Sequence, residues 1–420
     1  MATYTRDFLT SLPDAQLDLL CRVADQATEL GFPIYVVGGF VRDLVLGRPI
    51  LDFDLVLEGD AITLGHSLVS KFGGKLTAHT KFGTAKWLLA KTTFDNRNSV
   101  NDYSQISNIE FLDLISARSE TYKHPAALPT VKLGTLTDDI HRRDFTINAL
   151  AIRLDGEHFG ELHDELNSLD DIKNGIVRVL HPRSFVDDPT RMFRAVRYEK
   201  RYDFKIASET LSLMPEALPI VEKLSAQRVR HELDLILEEP NVAPMLEHLG
   251  NLDLLKSIHP ALTWDVTAWA RFQHKVDSVE ERWLLWLMSL TENEINSLNV
   301  RLKFSASLLK SIHAASKIFS MLSSLADVKP SQLAERLDGF PLNAVSIVAL
   351  VAQGQSRQML EKYLSVWRNM RSKTTGDDLK ELGIAPGPKY QEILSRLRAA
   401  WVDGDVNSEL EEKLLLKTFL

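Results

Sequence analysis

The stretch "YVVGGFVRDLVLGRPILDFDLVL", residues 35–57, decides the fold. It combines a short apolar strand, a glycine pair, a helical pattern that ends at Gly47, and an alternating strand with two aspartates. Successive side chains of a strand point to opposite faces, so Asp52 and Asp54 share one face. This strand–helix–strand pattern predicts an α/β domain in which the glycine pair and the two carboxylates belong to one site.

Patterns of the same kinds lie on both sides of this stretch. Amphipathic helices are predicted for residues 14–30 and for the residues between Asp60 and Gly73. Further strands are predicted for "TAKWLLA" (84–90) and "IEFLDLIS" (109–116), because both are short, apolar runs with strand-forming residues.

Other parts of the chain show no strand or helix period. The polar residues 91–108 and the proline-bearing residues 117–139 are predicted to be loops. From about residue 168 onward the patterns are almost all helical. The sequence therefore predicts an α/β N-terminal domain with a small mixed sheet and helices, followed by an all-α remainder.

Composition limits the class of protein. The 420 residues are 45% hydrophobic and 25% charged, as in ordinary globular proteins, and Cys21 is the single cysteine. The N-terminal residues lack an apolar signal core, and no apolar run approaches the roughly 18 residues that cross a membrane. We therefore expect a cytoplasmic protein. The net charge of −8 argues against a surface wholly adapted to nucleic acid, but residues 181–205 are locally basic.

The glycine pair and the aspartates suggest a nucleotide site. Two carboxylates so close repel each other, and bound Mg2+ would offset this repulsion. Gly38 and Gly39 allow a close backbone approach to a ligand, and the helix that they open presents N–H groups and Arg42 to phosphates. Alone, an Asp-x-Asp pair is usually a solvated strand feature. The combination is more specific, and the chain has no P-loop motif that would explain it otherwise.

Three further motifs follow in order: "RRDFTINALA" (142–151), "DDPTRMFRAVRY" (187–198) and "SAQRVRHELDLIL" (225–237). Together with the glycine and aspartate motifs, they resemble the class II tRNA nucleotidyltransferase and bacterial poly(A) polymerase family. The resemblance implies a catalytic head at 1–155. It also implies a helical neck that recognises the base at 156–240, and a helical body and tail that bind tRNA at 241–420.

The resemblance also implies roles for individual residues. Asp52 and Asp54 would hold the catalytic metal, and Asp113 is a candidate third carboxylate. The residues expected to bind the nucleotide are Gly38, Gly39, Arg42, Arg142, Arg143, Asp144, Asn148, Asp188, Arg191, Arg194 and Arg197. Asp188 and Arg191, three residues apart, are expected to share a helix face and to read the base. A structural role is expected for Arg228, Arg230 and Glu232.

The first functional hypothesis is template-independent addition of CCA to the 3' end of tRNA, with CTP, ATP and Mg2+. Relatives that add only A, only CC, or poly(A) tails are the alternatives. Residues 118–142 correspond to a family loop that CC-only relatives have shortened. Its full length here disfavours CC-only addition and leaves A-only and poly(A) addition open. A non-catalytic tRNA-binding protein and a small-molecule nucleotidyltransferase are less favoured, because the aspartates are intact and the helical region is long.

Overall fold

The computed structural model describes residues 9–50, 53–89, 109–121, 124–127, 129–264, 269 and 271–419. Asp52 and the polar residues 91–108 lie outside this part of the chain. The chain divides into two compact units, Met1–Leu224 and Ser225–Leu420. The first contains a mixed sheet with helices and the second is helical, which confirms the predicted fold class.

The strands lie in the first unit. They are β1 (Ile34–Val37), β2 (Asp54–Leu57), β3 (Lys75–His79), β4 (Thr84–Leu88), β5 (Phe111–Ser116), β6 (Arg118–Thr121), β7 (Thr130–Leu133), β8 (Ala151–Arg153), β9 (Leu162–His163), β10 (Ile176–Val177) and β11 (Lys205–Ile206). The main sheet has the order β3-β4-β5-β2-β1-β8-β9. Strands β2 and β5 run parallel, and the other neighbours in this sheet are antiparallel.

The register of the central strands places the first functional motif. β1 pairs with β2 so that Val36 faces Leu55, and therefore β1 ends where antiparallel β2 begins. The glycine pair after β1 and Asp54 at the start of β2 consequently lie at the same end of neighbouring strands.

One prediction for the head is wrong. Within the predicted loop 117–139, the described residues form the antiparallel strand pair β6–β7 and the start of a short helix. Both strands of the pair are half-buried or exposed along their length. β6 has no apolar residue and β7 has only Val131 and Leu133, so the sequence gives little strand signal here. The largely exposed edge strand β3 escaped prediction for the same reason.

Helices cover the sheet of the first unit and extend beyond it. They are α1 (Asp14–Glu29), α2 (Gly39–Val45), α3 (Ala61–Phe72), α4 (Leu136–His141), α5 (Ser168–Asn174), α6 (Ser184–Asp187), α7 (Thr190–Tyr202), α8 (Ser208–Leu211) and α9 (Met214–Ala217). Leu136 and Ile140 of α4 pack on one face of the sheet with Tyr35, Val37 and Val56. Burial of these side chains fixes α4 over the sheet beside the glycine turn.

Helix α7 is the most buried helix of this unit. Met192, Phe193 and Val196 are fully buried. The helix ends at Asp203, which adopts a left-handed backbone conformation with φ of 58°. Glycine is the usual residue at this position of a helix end.

The second unit is built from α10 (Ala226–Leu237), α11 (Ala243–Asn251), α12 (Leu254–Ile258), α13 (Val279–Leu287), α14 (Glu292–Leu302), α15 (Ala306–Met321), α16 (Pro330–Leu337), α17 (Leu342–Val351), α18 (Gly354–Ser365), α19 (Gly376–Glu381), α20 (Pro388–Asp403) and α21 (Glu409–Lys417). Capping boxes open α13, α14 and α19. Residues 283–287 of the apolar run "WLLWLMSL" (283–290) are buried in α13. In the described residues no helix has the length and apolar character needed to cross a bilayer.

Candidate active site

The glycine pair forms the turn between β1 and α2. Gly38 has φ of 66° and ψ of −123°, a conformation that residues with a side chain rarely adopt. A Cβ at Gly38 would overlap the Arg143 guanidinium, and a Cβ at Gly39 would lie 3.4 Å from Nη2 of Arg42. The glycines therefore make room for two guanidinium groups against the backbone of the turn.

Arg42 is held by contacts on several sides. Its Nε and Nη2 donate to the two carboxylate oxygens of Asp43 at 2.9 Å, and its Nη1 donates to Oδ1 of Asn148 at 2.5 Å. The guanidinium carbon lies 4.4 Å from the centroid of the Tyr202 ring. Burial disfavours the charged form, but the hydrogen bonds and charge of Asp43 outweigh it, so the pKa of Arg42 is raised. Arg42 is thus a fixed, permanently charged group.

Arg142 and Arg143 share a buried partner that the sequence analysis missed. Asp139 is fully buried; its Oδ1 accepts from Nε and Nη2 of Arg142 at 2.8 and 2.6 Å. Its Oδ2 accepts from Nη2 of Arg143 at 2.7 Å. Burial works to raise the pKa of Asp139, but the two guanidinium groups outweigh it and the pKa is lowered. The signal was present, because an acid three and four residues before two arginines lies on their helix face.

Arg142 also contacts the β6–β7 strand pair. Its Nη1 lies 3.3 Å from Oε1 of Glu120, a β6 residue whose carboxylate also pairs with Arg118 at 3.2 Å. The strand pair is therefore tied by charge to an arginine of the predicted nucleotide site.

Asp144 and Asn148 connect the glycine turn to α7. Oδ1 of Asp144 accepts from the Phe145 N–H at 2.9 Å and from Nδ2 of Asn148 at 3.0 Å. Its Oδ2 lies 2.7 Å from Nη2 of Arg194 on α7. Burial would raise the pKa of Asp144, but the Arg194 charge and the Asn148 hydrogen bond outweigh it, so the pKa is lowered. Since Asn148 also accepts from Arg42, one hydrogen-bonded chain runs from α2 to α7.

The two residues expected to read the base have different surroundings. Arg191 is buried, and it donates from Nη1 to Oγ of Ser184 at 2.6 Å and from Nη2 to the Arg142 carbonyl at 2.8 Å. Asp188 is half-buried and accepts from the N–H and hydroxyl of Thr190. Helix α7 begins at Thr190, so Asp188 precedes the helix instead of lying in its first turn with Arg191.

Arg197, the last predicted arginine of α7, is buried beside Tyr198, with 5.5 Å between its guanidinium carbon and the ring centroid. Among the described residues, Nε of Arg143 and Nε of Arg197 are buried without a hydrogen-bond acceptor. The arginine network is the name used below for Arg42, Arg142, Arg143, Arg191, Arg194 and Arg197 with Asp43, Asp139, Asp144 and Asn148.

Carboxylates line the start of β2 and the middle of β5. Asp54 is the register partner of Asp113 across parallel strands, and Lys86 of β4 is the partner of Asp113 across antiparallel strands. Register partners project to the same face of a sheet. These three residues are named the carboxylate edge. Asp52 lies outside the described residues, within which no cluster of three or more His, Cys, Asp or Glu side chains could hold a metal.

The last motif lies on α10 in the second unit, away from these groups in the chain. Nη1 of Arg230 donates to the Lys303 carbonyl at 2.8 Å, and its Nε lies 3.7 Å from Asp234. Glu232 is buried. These contacts suit the structural role expected for the motif with Arg228.

Two family models match parts of this chain. Residues 34–178 match the family described as Poly A polymerase head domain, and residues 203–265 match the Probable RNA and SrmB- binding site of polymerase A. The CC-adding tRNA nucleotidyltransferase of Deinococcus radiodurans is 30% identical over 97% of this chain and 93% of its own. The A-adding enzyme of Geobacter sulfurreducens is 33% identical over 96% of this chain, which spans only 47% of that relative's length.

A solved structure of a tRNA nucleotidyltransferase is also similar to this chain. The Thermotoga maritima CCA-adding enzyme complexed with tRNA_CCA has a TM-score of 0.76 and 28% identity, with 99% of this chain and 98% of that chain covered. These matches confirm the family resemblance drawn from the motifs. The chain belongs to the tRNA nucleotidyltransferase family, a family of enzymes that share the poly(A) polymerase head domain.

Proposed function

We propose that this protein completes the 3' end of tRNA with CCA, from CTP and ATP, without a nucleic-acid template. The observation that carries the proposal is the glycine turn, which packs against Arg42 and Arg143 at the end of β1 where Asp54 opens β2. Cations for a triphosphate and a carboxylate for a metal thus lie at one end of the sheet. The relatives that add CC, A or CCA to tRNA support the substrate.

In the proposed reaction, the 3' hydroxyl of tRNA attacks the α-phosphate of the nucleotide and pyrophosphate leaves. The arginine network binds the triphosphate and fixes its direction, because Asp139, Asp144 and Asn148 hold the guanidinium groups before the nucleotide arrives. Positioning and charge stabilisation supply most of the rate in phosphoryl transfer.

The carboxylate edge suits a divalent cation. Asp54 presents carboxylate oxygens beside those of Asp113, and such hard donors suit Mg2+. Asp52 and Asp54 would hold the ion, with Asp113 beside them. When bound, Mg2+ activates the attacking hydroxyl and neutralises charge on the phosphate oxygens. Two half-exposed carboxylates on neighbouring strands leave the site open to solvent and ions.

Each part of the chain is assigned one task in this reaction. We propose that residues 1–155 form the catalytic head, that 156–240 form the neck that recognises the base, and that 241–420 bind tRNA. The match of residues 203–265 to an RNA-binding family supports RNA binding by the end of the neck and the start of the body, although it crosses the proposed boundary at 240. A tRNA substrate would place the activity in the cytoplasm.

Addition of A alone is the second candidate, and the similarity to the Geobacter enzyme favours it. The full-length segment 118–142, which includes the β6–β7 strand pair, argues against CC addition alone, although the Deinococcus relative has that activity. Poly(A) addition is the remaining alternative. Membership of an enzyme family argues against a non-catalytic tRNA-binding protein or an enzyme for small molecules.

One experiment separates these products. The protein is incubated with three tRNAs that end before the CCA, after the second C, and after the terminal A, with each nucleotide alone and with CTP plus ATP. Sequencing the 3' ends should show all three additions on the shortest tRNA and one A on the second. An enzyme that extends only the CC-ending tRNA is A-adding, whereas long A tracts on any RNA would identify a poly(A) polymerase.

A further inference from the structure

Lys86 is a cation that the sequence motifs do not include. It lies in the middle of β4, where its register partner is Asp113 of β5, and Asp113 is in turn the register partner of Asp54. Three neighbouring strands therefore carry one ammonium and two carboxylates in a row on one face. The row ends at the residue proposed to hold the metal.

Two contacts fix the Lys86 ammonium. Nζ lies 3.4 Å from Oδ2 of Asp113 and 3.5 Å from the centroid of the Phe111 ring. The side chains of Lys86 and Asp113 are 39% and 33% exposed, so ions and water reach the pair. An ion pair this exposed contributes little to stability. The position of the pair beside the proposed metal ligands suggests instead an effect on cation binding.

We propose that Lys86 is a positioning residue that occupies Asp113 and weakens divalent-cation binding at the carboxylate edge. The inference rests on the proposed function, because it takes Asp52 and Asp54 as the metal ligands. A fixed positive charge one strand from the site repels a divalent ion and competes for Oδ2 of Asp113. Weaker binding suits an enzyme that releases pyrophosphate after each of several additions.

The test is a titration of the full-length protein with Mn2+, without nucleotide or RNA, in which electron paramagnetic resonance measures free Mn2+. Lys86→Met should bind Mn2+ roughly fivefold more tightly than the wild type, from the removal of one charge at this range. Lys86→Arg should restore wild-type affinity. Lys75→Met is the matched control, because Lys75 is an exposed lysine on neighbouring β3; its affinity should not change.

A second substitution tests the mechanism. Asp113→Asn combined with Lys86→Met should lose most of the gain, since the released carboxylate is then absent. Equal Mn2+ affinity for Lys86→Met and the wild type would overturn the inference, and so would an equal gain in Lys75→Met. The Asp54→Ala variant tests the proposed function separately: wild-type Mn2+ affinity there would remove Asp54 from the metal site, whatever the Lys86 variants show.

Discussion

The arginine network and the carboxylate edge lie at the same end of the sheet but are built in opposite ways. In the network, Arg42 and Arg191 are about 5% exposed, and a fully buried Asp139 holds two other guanidinium groups. At the edge, the side chain of Asp113 is about one-third exposed, and it forms an ion pair with the similarly exposed Lys86. Apart from Arg194, whose side chain is 35% exposed, the network is largely buried and internally paired, whereas the carboxylate edge is open to solvent.

The difference follows from the ligands that the two regions are proposed to bind. A triphosphate is large and needs cations in fixed places, so their orientation must be set beforehand by buried partners. A metal ion is small, exchanges through water, and brings its own charge to the carboxylates. Substitutions in the network should therefore disturb both stability and activity, whereas substitutions at the edge should disturb activity alone.

The largest effect is expected for Asp54→Ala. Loss of a metal ligand should lower nucleotide addition by on the order of a thousandfold or more, because the metal supplies several kcal/mol of charge stabilisation. The same is expected for Asp52→Ala. Gel-shift titration should show unchanged tRNA binding, and thermal unfolding should remain close to that of the wild type. Asp18→Ala, at an exposed carboxylate of α1, is the control. Full incorporation by either variant in Mg2+ would contradict the assignment of this edge.

A substitution in the arginine network should also lower the free energy of unfolding. Asp144→Ala removes the buried acceptor of the Phe145 N–H and of Nδ2 of Asn148, which costs on the order of 1–3 kcal/mol in the free energy of unfolding; the half-exposed Arg194 adds little to this loss. Urea unfolding measures this loss. The exposed Asp18→Ala substitution should cost no more than about 1 kcal/mol. A loss at Asp144 as small as that at Asp18 would mean that the network is not internally braced.

The pH dependence of the free energy of unfolding also tests the role of Asp144. The folded protein holds the pKa of Asp144 below its value in the unfolded chain, about 3.9. The stability that Asp144 contributes is therefore complete above about pH 4 and is lost as the pH falls through the lower, folded pKa. Asp144→Asn, which cannot titrate, should lose less stability than the wild type between neutral pH and pH 3. Parallel stability curves for the two proteins would argue against this.

A smaller effect separates two glycines with similar backbone angles. Gly38 and Gly47 have φ of 66° and 63°, but only Gly38 has the Arg143 guanidinium where a Cβ would lie. Gly47→Ala should cost about 1 kcal/mol of stability, with near-normal activity, because only backbone strain is added. Gly38→Ala also adds backbone strain, since Gly38 combines a positive φ with ψ of −123°, and in addition it displaces Arg143, so kcat/KM should fall by about tenfold or more. Equal activities of the two variants would contradict a shared role for turn and arginine.

Parts of the site were accessible from sequence because their signals are local. The turn at Gly38, the strand of Asp54 and the helix after Pro189 each follow from short patterns of glycine, alternating apolar residues and proline. The role of Asp139 was not recognised although its spacing from Arg142 and Arg143 was visible, because this segment was predicted to be a loop and so no helix face was assigned to Asp139. Lys86 was missed because strand register, which pairs it with Asp113, is set by the whole sheet.

The smallest expected effect concerns the choice of base, which we assign to the buried Arg191 and the half-buried Asp188. Cytosine and adenine share an exocyclic amine beside an acceptor ring nitrogen, whereas uracil and guanine present a carbonyl beside a ring N–H. The carboxylate of Asp188 would accept from the amine, and the guanidinium of Arg191 would donate to the ring nitrogen. The same pair would face uracil or guanine with acceptor against acceptor and donor against donor. Each such mismatch costs on the order of 1–3 kcal/mol.

Ser184 and the Arg142 carbonyl already orient Arg191, so the donor direction is set before a base arrives. Asp188→Ala and Arg191→Ala should therefore lower total addition while raising the share of UTP and GTP by about tenfold, within the range that one lost hydrogen bond allows. The measurement is kcat/KM for all four nucleotides on a tRNA that ends in CC. Arg194→Ala is the matched control, because Arg194 lies on the same helix as Arg191 but pairs with Asp144. This variant should slow addition without changing the preference among the four nucleotides. If the Asp188 and Arg191 variants also keep the wild-type preference, these two residues belong to the internal bracing of the network and another group selects the base.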